Sequence, residues 1–236
     1  MNRYQTEMNM QQVITDIITV TRKEVWELRH SMRHLYWLLV WLLMPVFLVY
    51  GNTSRSLVPI SSLYLFLPSL LALMTSGQIV QDTILGEKKA KTLEVLLSTG
   101  ISPVAIIIGK MIPAIVIGYT LSQLGLLGLN AFSLLDGLPT TLATNWFLII
   151  NPLTAAYLAS CVVIMTTILI PDERISPTVA MLLVLIPLVF LGYLYNHMVW
   201  SVLNMFLLSI GVILFCGLLT WFAATTIKRI PLFTQI

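Results

Sequence analysis

Lys110 is the one charged residue between positions 104 and 129, and residues 146–170, 179–195 and 199–227 contain none. About 20 apolar residues in a row is the length at which an α-helix crosses the hydrocarbon core of a bilayer. A helix also satisfies its own backbone hydrogen bonds where no water can do so. The same criterion along the whole chain gives six segments, roughly 33–50, 61–85, 104–129, 146–170, 179–195 and 199–227. Hydrophobic residues make up 58% of the sequence and charged residues 10%, with a mean hydropathy of +0.91. That is the composition of an all-α integral membrane protein. Six spans and their connections use up residues 1–236 as one transmembrane domain and leave no stretch for a soluble one. The first apolar run follows a charged segment of about thirty residues, so no cleavable signal peptide is expected and the first span would act as its own insertion signal.

Several spans contain proline, at Pro45, Pro68, Pro113, Pro152 and Pro187. In a membrane helix proline frees a carbonyl and bends the axis without necessarily ending the helix. Orientation follows from lysine and arginine, which accumulate on the cytoplasmic side. Twelve of the 13 basic residues fall there if both termini are cytoplasmic, and Arg55 alone falls outside. The loops at 86–102 and 171–177 are then cytoplasmic, and Asp136 lies on the outer side in a Leu-rich connection expected from Asn130 to Asn145.

Ahead of the first span, residues 10–32 place Met10, Val13, Ile14, Ile17, Ile18, Val25, Leu28 and Met32 at helical spacings. Gln11, Gln12, Asp16, Arg22, Lys23 and Glu27 lie largely off that stripe, as in an amphipathic helix lying in the membrane interface. His30 and His34 are four apart, but no carboxylate or cysteine at helical spacing completes a metal site. Cys161 and Cys216 both lie in apolar runs and read as packing residues.

The long charged interval between two apolar blocks is the stretch from Gly86 to Lys110. Residues 87–98 lack Gly and Pro, and Ala90, Leu93 and Leu97 recur at helical spacing, with Glu87 four residues before Lys91. This predicts a short amphipathic helix at 87–98 outside the membrane. Gly100 supplies a stop, and Ser102 with Pro103 supplies an N-cap and first-turn proline for the next helix.

The run Glu87, Lys88, Lys91, Thr92, Leu93, Glu94, Leu96 and Leu97, followed by Gly109 and Lys110, resembles the permease subunits of ABC-2 type transporters. Many members of that family carry Gly before the threonine and Pro after the paired leucines, where this chain has Lys91 and Gly100. The resemblance implies that 87–98 is a coupling helix between spans 2 and 3 that docks on a separate ABC ATP-binding subunit, present in two copies. It further implies a second permease copy or a homologous half-permease, and places ATP and Mg on the partner ATPase, with no cofactor in this chain. Asp172, Glu173 and Arg174 in the second cytoplasmic loop would make a minor contact. The expected location is the cytoplasmic membrane, with no nucleic-acid partner.

No HExxH, CxxC or GxSxG motif occurs, and the residues before Gly109 and Lys110 do not form a phosphate-binding loop, so the chain is expected not to be an enzyme. Asp82 and Lys110, near the cytoplasmic ends of their spans, are expected to snorkel, since charge at mid-bilayer costs about 2.5–3.5 kcal/mol. In span 2, Ser62, Ser69, Ser76 and Thr83 recur every seven residues, with Gly77 and Gln78 beside them. The stripe is either a small-residue seam for a neighbouring helix or a weakly polar wall of a translocation path. Rival functions are an ion-coupled carrier or channel, for which ionisable residues at depth are lacking, and a membrane anchor for a partner enzyme. The low-charge interior tilts a transported cargo towards an apolar or amphipathic one.

Overall fold

The computed structural model describes residues 3–30, 60–90, 92, 95–96, 101–135, 146–170, 172, 175–176, 178–185 and 202–229, with side chains outside the terminal turns of several helices. The regular structure among the described residues is helical, with no strand among them. The elements are α1 (Arg3–His30), α2 (Ile60–Lys89), α3 (Pro103–Leu135), α4 (Trp146–Leu169) and α5 (Val202–Arg229). A further helical segment covers 178–185. Among the described residues, three stretches are long and apolar enough to cross a membrane: Pro103–Ala131 of α3, Leu148–Leu169 of α4 and Ser209–Thr226 of α5. The expected spans at 33–50 and over most of 179–195, with Pro45 and Pro187, lie outside the described residues.

Local chemistry explains the helix ends. The Ser102 hydroxyl accepts from the Ala105 amide at 3.1 Å and its carbonyl accepts from Ile106 at 3.2 Å, so Ser102 caps α3 with Pro103 in the first turn, as expected. Pro68, Pro113 and Pro152 sit inside their helices without ending them. Lys88 and Lys89 close α2, and Arg29 and His30 close α1, where cations oppose the negative end of the helix dipole.

Two expected boundaries move. The second span does not stop before Gly86, because α2 continues through it to Lys89 and the Ala90 amide bonds the Gly86 carbonyl at 3.0 Å. Glu87 therefore belongs to α2 and not to a separate helix, and its burial fixes that last turn in place. At the far end of α3, residues 130–135 are helical where a connection was expected. The Asn130 amide donates back to the Leu126 carbonyl at 2.9 Å from a fully buried position, so the residue at which the connection was expected to begin serves the helix interior.

Helix α2 packs most extensively on α4 and then on α3, while α4 also contacts α5 and α3. The α2–α4 seam is built from small residues, with Ser69, Ser76, Ala156 and Ala159 all buried, which permits close backbone approach. Across α2 and α3 the approach is tighter still: a Cβ on Gly118 would lie 2.9 Å from the Ala72 carbonyl oxygen. Helix α5 flanks the bundle and turns Leu214, Leu218 and Trp221 outward.

Helix α1 packs on α3 through a face that its apolar stripe does not fully describe. Val20 and Glu24 are buried, and Ile17 and Leu28 are half-buried on the same side, whereas Met10, Ile14, Ile18 and Val25 are exposed. A Cβ on Gly109 of α3 would meet Val20 at 2.7 Å, so α1 crosses α3 in near-backbone contact there. The Thr21 hydroxyl donates to the Gly109 carbonyl at 3.3 Å beside the crossing.

Candidate functional site: a charged junction beside the coupling stretch

At the Lys89 end of α2, four charged side chains from three helices form a chain of alternating sign. Lys110 of α3 donates to Glu24 Oε1 of α1 at 2.5 Å and lies 2.9 Å from Glu87 Oε2 of α2. Glu87 Oε1 in turn accepts from Lys23 of α1. Lys23 also lies 3.3 Å from Glu27 and 3.8 Å from Glu24. The side chains of Glu24 and Lys110 are 1% and 2% exposed and that of Glu87 is 6% exposed, so the inner members are removed from solvent. Two carboxylates and two ammoniums balance, which is the condition under which such burial is tolerated.

Electrostatics within the junction are uneven. Burial raises the Glu24 carboxyl above its usual range, more than the charge and hydrogen bond of Lys110 lower it. Its Oε2 is buried and has no hydrogen-bond partner among the described residues, which adds to the cost of the ionised form. For Lys23 burial works downward, but the hydrogen bond and charge of Glu87 prevail and raise its pKa.

Lys110 was expected to snorkel and does not. Its side chain is buried and its ammonium meets two buried carboxylates. Glu87 and Lys88, grouped by sequence with the coupling stretch, both point into the protein. Glu87 faces Lys23 and Lys110, and Lys88 donates to the Thr167 carbonyl and, at 3.4 Å, to that of Ile170, at the end of α4. The expected Glu87–Lys91 pair involves Lys91, which lies outside the described residues.

Of the remaining residues that the sequence groups with Glu87 and Lys88, Thr92 is exposed and its hydroxyl donates to the Glu87 carbonyl at 3.4 Å, while Leu96 is half-buried. Lys91, Leu93, Glu94 and Leu97 lie outside the described residues. A cavity of about 730 Å³ opens between α1, the end of α2 and this stretch, with Lys23, Glu27, Glu87, Thr92 and Leu96 on its walls. Thr92 and Leu96 thus adjoin the charged junction directly.

In the second loop Asp172 is exposed and its carbonyl accepts from the Ser176 amide at 3.0 Å, and Glu173 and Arg174 lie outside the described residues. In the serine stripe, Ser69 accepts from the Asn151 amide at 2.7 Å and Ser76 donates to the Ala156 carbonyl at 3.1 Å, so both sit in the α2–α4 seam. The side chain of Ser62 lies outside the described residues. Gln78 and Asp82 line a second cavity of about 400 Å³ between α2, α4 and 178–185. Cys161 and Cys216 are buried free thiols that join α4 to α5, with Cys161 Sγ 3.7 Å from the Cys216 carbonyl. His30 stacks on Trp26 with ring centroids 4.4 Å apart and bonds the Trp26 carbonyl at 2.8 Å, while His34 lies outside the described residues.

Sequence reasoning missed Glu24 and the partner of Lys110. A signal existed: Ile17, Val20, Glu24 and Leu28 follow one helical stripe, so Glu24 is a lone acid on an apolar face, as Lys110 is a lone base in an apolar run. Two isolated opposite charges in otherwise apolar helices are candidates to meet. No family model matches the chain, and neither a curated protein nor a solved structure matches it.

Proposed function

We propose that this chain is the permease subunit of an ATP-driven exporter of ABC-2 type, with six spans, both termini in the cytoplasm, and a coupling stretch that docks on a separate ATP-binding subunit. It acts with a second permease copy or a homologous half-permease and with two copies of the ATPase, which bind ATP and Mg. The observation that carries this reading is the adjacency of the coupling stretch to the charged junction. Thr92 bonds back to the last turn of α2, and Glu87 in that turn is tied to α1 and α3. A load applied at residues 92–97 is therefore delivered to three helices at once. ATP supplies the bias by favouring the closed ATPase pair, since a ligand shifts a conformational equilibrium only through differential binding.

An ion-coupled carrier is the second reading, favoured by the buried ionisable groups Glu24, Glu87 and Lys110. Lys110 lies seven residues after Pro103, about 10 Å along α3 at 1.5 Å per residue. That places the cluster towards one end of the helix and away from the middle, where a carrier's ion relay is needed.

The test is purification of the tagged chain from its native membrane, followed by reconstitution. An ATPase subunit co-purifies, and Leu93→Ala, Glu94→Ala or Leu97→Ala weakens its association or uncouples ATP turnover from transport. Loss of a buried interface leucine costs about 1–3 kcal/mol in docking. Absence of any ATPase, together with transport driven by an ion gradient without ATP, overturns the proposal.

A further inference from the structure

The charged junction is more than is needed to hold α1 in place. Near-backbone contact at Gly109 and Val20 and the Thr21 hydrogen bond already attach α1 to α3. Buried ion pairs add little net stability over apolar side chains of similar volume, but losing one partner leaves an uncompensated charge. Such a network resists coming apart in a way that sliding apolar surfaces do not.

Its wiring is directional. Glu87 sits in the last turn of α2, where the coupling stretch begins, and each of its two oxygens faces a different ammonium. One of these belongs to α1 and the other to α3. Lys110 then passes the connection on to Glu24 and returns it to α1, closing the circuit. Lys23, at the outer end, is partly exposed on the wall of the cavity beside Thr92 and Leu96. Displacement of Glu87 therefore draws Lys23 and Lys110 with it or orphans a buried charge.

We propose that Lys110 is a positioning residue that carries displacement of the coupling stretch from α2 into α1 and α3, with Glu87 as input and Glu24 as the tie to α1. This deepens the permease reading and rests on it for what the motion accomplishes. The geometry of the junction stands apart from that reading, and the two are separated by the experiment.

Amide hydrogen exchange over residues 13–28 reads the attachment of α1, and transport per ATP hydrolysed in the reconstituted complex reads transmission. Lys110→Met takes from the buried Glu24 its close ammonium partner, leaves Glu87 with Lys23 alone, and raises exchange in α1 by about tenfold or more. The neutral triple variant Glu24→Gln, Glu87→Gln, Lys110→Met orphans none and restores exchange to within about threefold of the unmodified protein. Transport per ATP in that variant nonetheless stays at least about fivefold low with the ATPase still bound, because uncharged packing slides. Where the triple variant fails to assemble, Glu87→Gln alone is read in the same way, since Lys110 keeps Glu24 and Lys23 keeps Glu27. A neutral variant that transports at the unmodified ratio overturns the proposal and leaves the junction a packing device. Unchanged α1 exchange in Lys110→Met overturns the attachment itself. If the unmodified chain binds no ATPase, the permease reading fails and the transmission role with it, while the exchange measurements still report on the junction.

Discussion

Gly109→Ala is a methyl-sized perturbation with a large expected effect on one helix. The added Cβ would lie 2.7 Å from Val20 Cβ and Cγ1 and 3.3 Å from the Ile17 carbonyl oxygen. Carbon atoms pack best at about 3.5–4.0 Å, so α1 must retreat by roughly 1 Å. Val20 Cβ is fixed to its backbone and cannot rotate aside, and the retreat also stretches the Thr21–Gly109 hydrogen bond and the Glu24–Lys110 contact. Overpacking of this kind costs about 1–3 kcal/mol, which corresponds to about a 5- to 150-fold shift in the ratio of docked to undocked α1. The assay is hydrogen exchange with mass spectrometry on the protein in lipid nanodiscs, where α1 peptides lose protection by that factor. Two controls locate the effect. In Gly118→Ala the Cβ meets the Ala72 carbonyl oxygen at 2.9 Å, which strains the α2–α3 crossing and leaves α1 docked. In Gly128→Ala nothing lies within 4 Å and exchange is unchanged. Protection of α1 within about twofold of the unmodified protein in Gly109→Ala would refute the reasoning, as would equal loosening of α1 by Gly118→Ala.

The junction also predicts a pH dependence. The pKa values of Glu24 and Lys23 are both raised in the folded protein, so each contribution to α1 docking is fully present below its unfolded value and is lost as pH rises through the folded one. Exchange in α1, corrected for the intrinsic chemical rate, therefore increases from mildly acidic to alkaline pH, and Glu24→Gln removes the lower part of that window; a profile that tightens with rising pH contradicts this. Orientation is checked by single-cysteine labelling in sealed vesicles with a membrane-impermeant maleimide. Val95→Cys and Gln235→Cys react only from the cytoplasmic side and Asp136→Cys only from outside, and labelling of position 95 from outside would overturn the placement of the coupling stretch.

Much of the helical layout was legible in the sequence because helix formation and suitability for lipid are local, one-dimensional properties. The cap at Ser102 and Pro103 is read correctly because its hydrogen bonds close within four residues. The boundaries at Gly86 and Asn130 are read wrongly for the converse reason. Glycine and asparagine are turn formers on average, yet here tertiary burial of Glu87 and of Asn130 holds both stretches helical. In the serine stripe the heptad spacing identifies a shared face, but only the contacts with Asn151 and Ala156 say that α4 covers it.

The charged site divides in the same way. Composition and run length by themselves determined the helical character of the described residues and the suitability of three helices for a membrane, and charge counting singled out the interval from Gly86 to Lys110. Which charge meets which was decided only by the tertiary structure. The rotation of α1 about its axis is set by the Gly109–Val20 crossing, and that of α3 against α2 by Gly118. Those contacts join residues far apart in sequence, so no local periodicity encodes them. Once the helices are rotated in this way, Glu24, Glu87 and Lys110 converge, and a lysine that would otherwise reach for water is held by two acids inside the protein.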